Sequence, residues 1–147
     1  MATCGDVMTR EPACCEAADS IKRVAELMKS EDIGAVPVVE SRSSRKLLGI
    51  VTDRDVVVKV IAAGRAIESA TVRDAMSLNP VTCHEDADVS EAVSRMAERQ
   101  VRRIPVVDGA GTLRGIIAQA DIATRVQRDK TTGELVEAIS EPGTSQK

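Results

Sequence analysis

No Phe, Tyr or Trp occurs among the 147 residues. The core must then be filled by Val, Ile, Leu, Met and Ala, and gripping single-stranded nucleic acid by stacking bases on rings is excluded. Any purine bound here lies between aliphatic side chains and is read largely by backbone groups. A basic excess is also missing: 20 Lys and Arg stand against 23 Asp and Glu, a formal net charge of −3. That balance argues against a nucleic-acid partner held through phosphates. No stretch approaches the ~20 apolar residues of a membrane helix, and positions 1–10 lack the basic-then-apolar layout of a signal peptide. A cytoplasmic location is expected, with no membrane partner and with the four cysteines reduced. None of them forms a Cys-x-x-Cys pair, so no zinc or thioredoxin-like site is indicated. The one histidine has no evident Ser or Cys partner, and no paired-carboxylate motif stands out, so no enzyme is expected.

What the chain does contain is a copy of itself. Asp6-Val7-Met8-Thr9 returns as Asp74-Ala75-Met76-Ser77, an offset of 68 residues. Pro12 and Pro80, Cys15 and Cys83, Met28 and Met96, and Pro37-Val38-Val39 with Pro105-Val106-Val107 keep that offset. The offset then becomes 66, matching Gly49-Ile50 to Gly115-Ile116 and Asp55 to Asp121. The two lost residues fall in a polar loop, where deletions are tolerated.

Each half reads alike. A short strand is expected at 13–15 and again at 81–83. A helix follows with Ile21, Val24, Leu27 and Met28 on one face, and in the second copy Val89, Ala92, Val93 and Met96, the spacing of an amphipathic helix. Ser20 and Asp88 suit N-caps, and Glu91 completes a capping-box pattern. Apolar runs at 36–39 and 47–51, and at 104–107 and 113–117, read as hairpins. Their prolines belong at strand starts or edges. Second helices are expected over 53–63, stopped by Gly64, and over 119–128. The result is an α+β fold of two β-α-β-β-α units, 5–64 and 73–128. A linker runs over 65–72, and a tail over 129–147 has one helical stretch at 134–139. One unit leaves much of a three-stranded sheet bare, so the two are expected to pack about a pseudo-twofold axis.

Asp-x-Met-[Thr/Ser], then hydrophobic-Pro-Val-Val, then Gly-hydrophobic-hydrophobic-Thr-x-x-Asp resembles the CBS domain family, the repeat named after cystathionine beta-synthase. The match spans about residues 5 to 128, twice in register, as in small stand-alone bacterial two-repeat members (Bateman modules). The resemblance implies a disc-like homodimer. It also implies binding of AMP, ADP, ATP, NAD or S-adenosylmethionine between the repeats as a regulatory ligand, with no cofactor required. A protein partner would read the ligand state.

The sharpest local feature is Gly49-Ile50-Val51-Thr52-Asp53-Arg54-Asp55, a strand feeding a helix N-terminus. Unpaired N–H groups and the helix dipole favour phosphate there, the Thr52 hydroxyl can donate, and Asp55 suits two ribose hydroxyls. The competing reading is structural: Thr52 N-caps the helix and Asp55 lies in its first turn. The second copy has Ala118 in place of the cap, a departure from the family pattern that weakens its phosphate grip. Asp121, retained without that partner, points to another task. Arg102-Arg103 match family positions that reach phosphate, against a solvated charged turn as the alternative. Their first-repeat equivalents, Gly34-Ala35, carry no charge. In the family each cleft mixes the repeats. One would therefore join Asp121, Arg102, Arg103 and Ile116 to Ile33 and the strand around Cys14. The other would join Asp55, Thr52, Arg54 and Ile50 to Val101 and the strand around Thr82, and affinities would be unequal. Cys15 and Cys83 read as buried small hydrophobes. His84 is not expected to bind metal with Cys83, because strand neighbours face opposite ways. A structural dimerisation module without ligand is the alternative function.

Overall fold

The computed structural model describes residues 2–132, with side chains through 125. In chain order the elements begin with α1 (Cys4–Val7), β1 (Thr9–Arg10), β2 (Cys15–Glu16), α2 (Ile21–Glu31), β3 (Ala35–Val39) and β4 (Leu47–Thr52). A single α turn, α3 (Asp53–Asp55), continues as a π-helical stretch, Val56–Ile61, and a 3-10 turn, Val72–Asp74, leads to β5 (Ser77–Leu78). The rest are β6 (Cys83–His84), α4 (Val89–Arg99), β7 (Arg103–Val107), β8 (Leu113–Ala118) and α5 (Gln119–Thr132). The helical stretch expected at 134–139 lies outside the described residues. No helix among the described residues is long and apolar enough to cross a membrane.

The chain divides into two compact units. The first-repeat unit holds residues 11–80 and 110–113; the second-repeat unit holds 2–10, 81–109 and 114–132. Each has a four-stranded sheet, β2-β3-β4-β5 and β6-β7-β8-β1, where the sequence led us to expect three strands. The fourth strand comes from the lead-in to the other repeat: β5 pairs antiparallel with β4, and β1 with β8. Both are two residues long and exposed, so no alternation of apolar residues announced them. The parallel pairs β2/β3 and β6/β7, the antiparallel β3/β4 pair and the β7/β8 neighbours build the rest.

Gly49 and Gly115 are explained by these added strands. A Cβ on Gly49 would collide with the Ser77 carbonyl, and one on Gly115 with the Met8 thioether and with the Thr9 oxygen at 2.6 Å. Pro37 stands inside β3, not at its head. The β2 ladder engages only Val38 and Val39, so Pro37 lies beyond its end and needs no N–H there.

Helices α2 and α4 cover the sheets because their apolar stripes are one-sided. Ile21 and Val24, and Val89, Ala92 and Met96, are buried. The Ser20 hydroxyl accepts from Arg23 N–H at 3.1 Å, and the Asp88 carboxylate from Ser90 N–H at 2.8 Å. Glu91 does not complete a box; it pairs with Arg95 one turn on, at 3.0 Å. Both helices end on a left-handed residue at equivalent positions, Asp32 (φ 55°) and Gln100 (φ 56°). The stretch 65–72 is packed, with Ala70 and Val72 in the first-repeat core.

Candidate functional site

In the first-repeat unit the end of β4 turns directly into α3, and the Asp53 N–H donates to the Gly34 carbonyl at 2.9 Å. That bond brings the end of α2, with half-buried Ile33, to the strand–helix corner carrying Thr52, Arg54 and Asp55. The helix amides expected to be open for phosphate are already paired. The Asp55 N–H donates to the Thr52 hydroxyl at 3.1 Å, and the Arg54 N–H to the Asp53 carboxylate at 2.8 Å. Asp55 in turn accepts from Thr52 N–H at 2.9 Å and pairs with Lys59 at 3.3 Å. Lys59 also reaches the Ala75 carbonyl at 3.2 Å. The complete motif is therefore internally satisfied, and Asp53 adds a second negative charge where an anion would approach. Arg54 is exposed, and Ile50 is half-buried in β4 opposite Pro37.

The second-repeat corner has the same backbone and different chemistry. Gln119 N–H donates to the Arg102 carbonyl at 3.0 Å, tying Arg102 to the start of α5 two residues before Asp121. Ala118 has no hydroxyl, so the Asp121 N–H lacks the partner that Asp55 has. Asp121 nevertheless accepts from Ala118 N–H at 2.9 Å. Without the hydroxyl partner Asp121 still caps, because half of a capping box needs only backbone opposite it. Arg102 is exposed, while Arg103, which opens β7, and half-buried Val101 flank it. Ile116 is half-buried in β8 in register with Thr9.

Cys14 and Thr82 lie just before β2 and β6. Cys14 lines a groove of about 440 Å³ with Ala13, Arg23, Leu27 and Arg42, and the Arg45 guanidinium stands 3.5 Å from its sulfur. The Thr82 carbonyl accepts from Arg95 at 2.7 Å. His84 is half exposed and accepts from Asp86 N–H at 3.1 Å. Among the described residues no group of three or more His, Cys, Asp or Glu is placed to hold a metal.

Sequence reasoning missed Lys59, Gln119 and two further capping boxes. Thr3 with Asp6, and Thr71 with Asp74, repeat the Thr52–Asp55 arrangement; Asp6 accepts from Thr3 N–H and Asp74 from Thr71 N–H, both at 2.9 Å. The signal was present as Thr-x-x-Asp, which occurs at all three places.

Residues 4–62 and 72–128 both match the model of the CBS domain. The uncharacterized protein YlbB of Bacillus subtilis is 38% identical over 92% of this chain and 90% of its own length. Hypoxic response protein 1 of Mycobacterium tuberculosis is 32% identical over 97% of this chain and 96% of its own. The crystal structure of hypoxic response protein I with two coordinated zinc ions superposes with a TM-score of 0.76 at 33% identity, over 84% of this chain and 98% of that one. The CBS domain pair of protein MJ0100, in complex with 5′-methylthioadenosine and S-adenosylmethionine, gives 0.75 at 26% identity, over 88% and 98%.

Proposed function

The chain belongs to the CBS domain family, and on that premise we propose that it is a regulatory module that binds an adenine nucleotide and performs no chemistry on it. The observation that carries this reading is the Gln119–Arg102 bond, which ties an arginine pair to the helix start bearing Asp121. Guanidinium forks suit phosphate oxygens. A carboxylate with one oxygen on Ala118 N–H keeps acceptor capacity for ribose hydroxyls. The ligands named for the MJ0100 pair are both adenosine derivatives, and they motivate the ligand class. AMP, ADP, ATP and NAD would add phosphates for Arg102 and Arg103; S-adenosylmethionine would use the adenosine contacts alone. The Thr52–Asp55 corner is the weaker site, because its polar groups hold one another. Cys14, Ile33, Ile50, Arg54, Thr82, Val101 and Ile116 would supply the apolar and edge contacts. A homodimer of these chains would be the species a partner protein reads.

A ligand-free structural module is the second reading, favoured by the satisfied box at Thr52 and Asp55. Thermal unfolding followed by circular dichroism separates the two, since fluorescence has no aromatic reporter here. A ligand at about 100-fold over its Kd adds about 2.7 kcal/mol. Silence from AMP, ADP, ATP, NAD and S-adenosylmethionine alike selects the structural module. Turnover of any of them to product would overturn the non-catalytic reading.

A further inference from the structure

Resting on the adenine-nucleotide reading, we propose that Arg95 latches the second-repeat edge shut against an adenine ring. One open purine seat per chain is left, in the first-repeat groove beside Cys14. Cys14 and Thr82 are equivalent by the 68-residue offset, and so are Leu27 on α2 and Arg95 on α4. In both units the helix residue stands beside the segment that enters the edge strand. Leu27 and Cys14 line one groove, and Arg95 reaches Thr82.

The first-repeat groove, at about 440 Å³, is within the size range of small-molecule pockets. Ala13, Cys14, Val24 and Leu27 give it an apolar wall, which a base needs in a chain with no aromatic ring to stack on. The Leu27 side chain has no N–H, so this helix position offers the Cys14 carbonyl no donor.

In the second-repeat unit the matching place is occupied. Arg95 Nη1 donates to the Thr82 carbonyl at 2.7 Å, a short charge-assisted bond. Arg95 Nη2 pairs with the Glu91 carboxylate one turn back, at 3.0 Å, so the guanidinium is held from two sides. The counterpart of Glu91 is Arg23, so a guanidinium at position 27 would meet a like charge instead of a partner. The exocyclic amino group of adenine is itself a donor. To use the Thr82 carbonyl it must approach a cation and displace a charged hydrogen bond, which is stronger than a neutral one. The edge contact of Thr82 is therefore withheld while Arg95 holds its carbonyl. Both members of the Arg95–Glu91 pair have side chains 46% exposed, so the latch can be removed without opening the core.

Isothermal titration calorimetry with AMP on the folded full chain counts the seats. The unaltered chain should take one AMP, and Arg95→Leu two. Arg95→Met, which keeps the aliphatic stem, should match Arg95→Leu. An Arg23→Glu/Leu27→Arg double variant copies the latch onto α2 and should weaken AMP binding at least about tenfold. Two AMP on the unaltered chain, or one on both Arg95 variants, would overturn the latch and leave the nucleotide reading in place. Weaker binding in the Arg95 variants would make Arg95 a ligand contact and sink the latch equally. Absence of AMP binding in every chain also removes it, whereas the nucleotide reading itself falls only if ADP, ATP, NAD and S-adenosylmethionine are silent too.

Discussion

Thr52 closes the β4–α3 corner with a hydroxyl, and Ala118 leaves the matching β8–α5 corner without one. In the first case the hydroxyl, two carboxylates and Lys59 are consumed in holding the helix start. In the second, one carboxylate holds one N–H, and an arginine pair stands where the first repeat has Gly34 and Ala35. A Cβ on Gly34 would come within 2.9 Å of the Asp53 carboxylate, so a side chain there would displace it. The helices that leave these corners differ as well. Val57, Val58 and Ile61 are 53%, 46% and 53% exposed, whereas Ala123, Thr124 and Gln127 stand at those places in the second copy. The comparison teaches that a motif complete in sequence is self-sufficient in structure. The incomplete copy keeps more of its polar capacity for something else.

The largest test of the shared framework is at the two glycines. Gly49→Ala should cost about 3 kcal/mol, because a backbone carbonyl blocks the new methyl; Gly115→Ala should cost about 2 kcal/mol, the Met8 side chain yielding part of the space. Urea unfolding followed by circular dichroism reads both, and the reverse order would show that Met8 does not yield. Next is ligand affinity. Asp121→Asn, which can keep the Ala118 bond, and Arg102→Ala should each weaken adenine nucleotide binding about tenfold, or about 1.4 kcal/mol. Thr52→Ala should change it less than about twofold. Equal losses at both corners would erase the distinction drawn between them.

A smaller effect tests the caps. Thr52→Ala should lower stability by about 1 kcal/mol, and Ala118→Thr should raise it by about 0.5 kcal/mol by installing the missing hydroxyl. The least effect is expected from acid. Thr3 N–H holds the Asp6 carboxyl below its ordinary value, and Ser90 N–H does so for Asp88. Burial pushes Asp19 up, but the Glu16 N–H and the Arg42 guanidinium outweigh it and leave it low. Lowered carboxyls stabilise the fold above their unfolded value near 3.8 and lose that contribution as pH falls toward the folded value. Stability should therefore be flat above about pH 5 and decline below about pH 4. A plateau that persists into stronger acid would remove these three groups from the account.

The repeat, the α+β class, helices α2 and α4 and the apolar runs of β3, β4, β7 and β8 were legible in the sequence, because one-sided burial leaves a period in the helices and two-sided burial leaves β3 and β7 as unbroken apolar runs. The lead-in strands β1 and β5 were not, since Thr9, Arg10, Ser77 and Leu78 are exposed and are defined only by the strands they meet. The helix after β4 was placed correctly at its start, but its π-helical continuation was invisible. The Ala62 N–H reaches back five residues to Val57, and Arg65 to Val60, a choice made by packing rather than by propensity. At the candidate site the residue types were readable and their partners were not. Asp55 reads the same whether its carboxylate faces a sugar or the Lys59 one turn on.

The exchanged lead-in strands also set an order of assembly during synthesis. The first-repeat unit has all its parts once residue 113 has emerged, since 110–113 supply the Gly111 and Leu113 backbone bonds to Leu47 and Arg45. Thr9 and Arg10 find their strand partner only when β8 is complete. Residues 2–5 meet 85–89 before β8 is made, through the Cys4–Ala87, Gly5–Glu85 and Val89–Ala2 bonds, so β8 joins a segment already docked, across a loop whose closure cost grows only as the logarithm of its length.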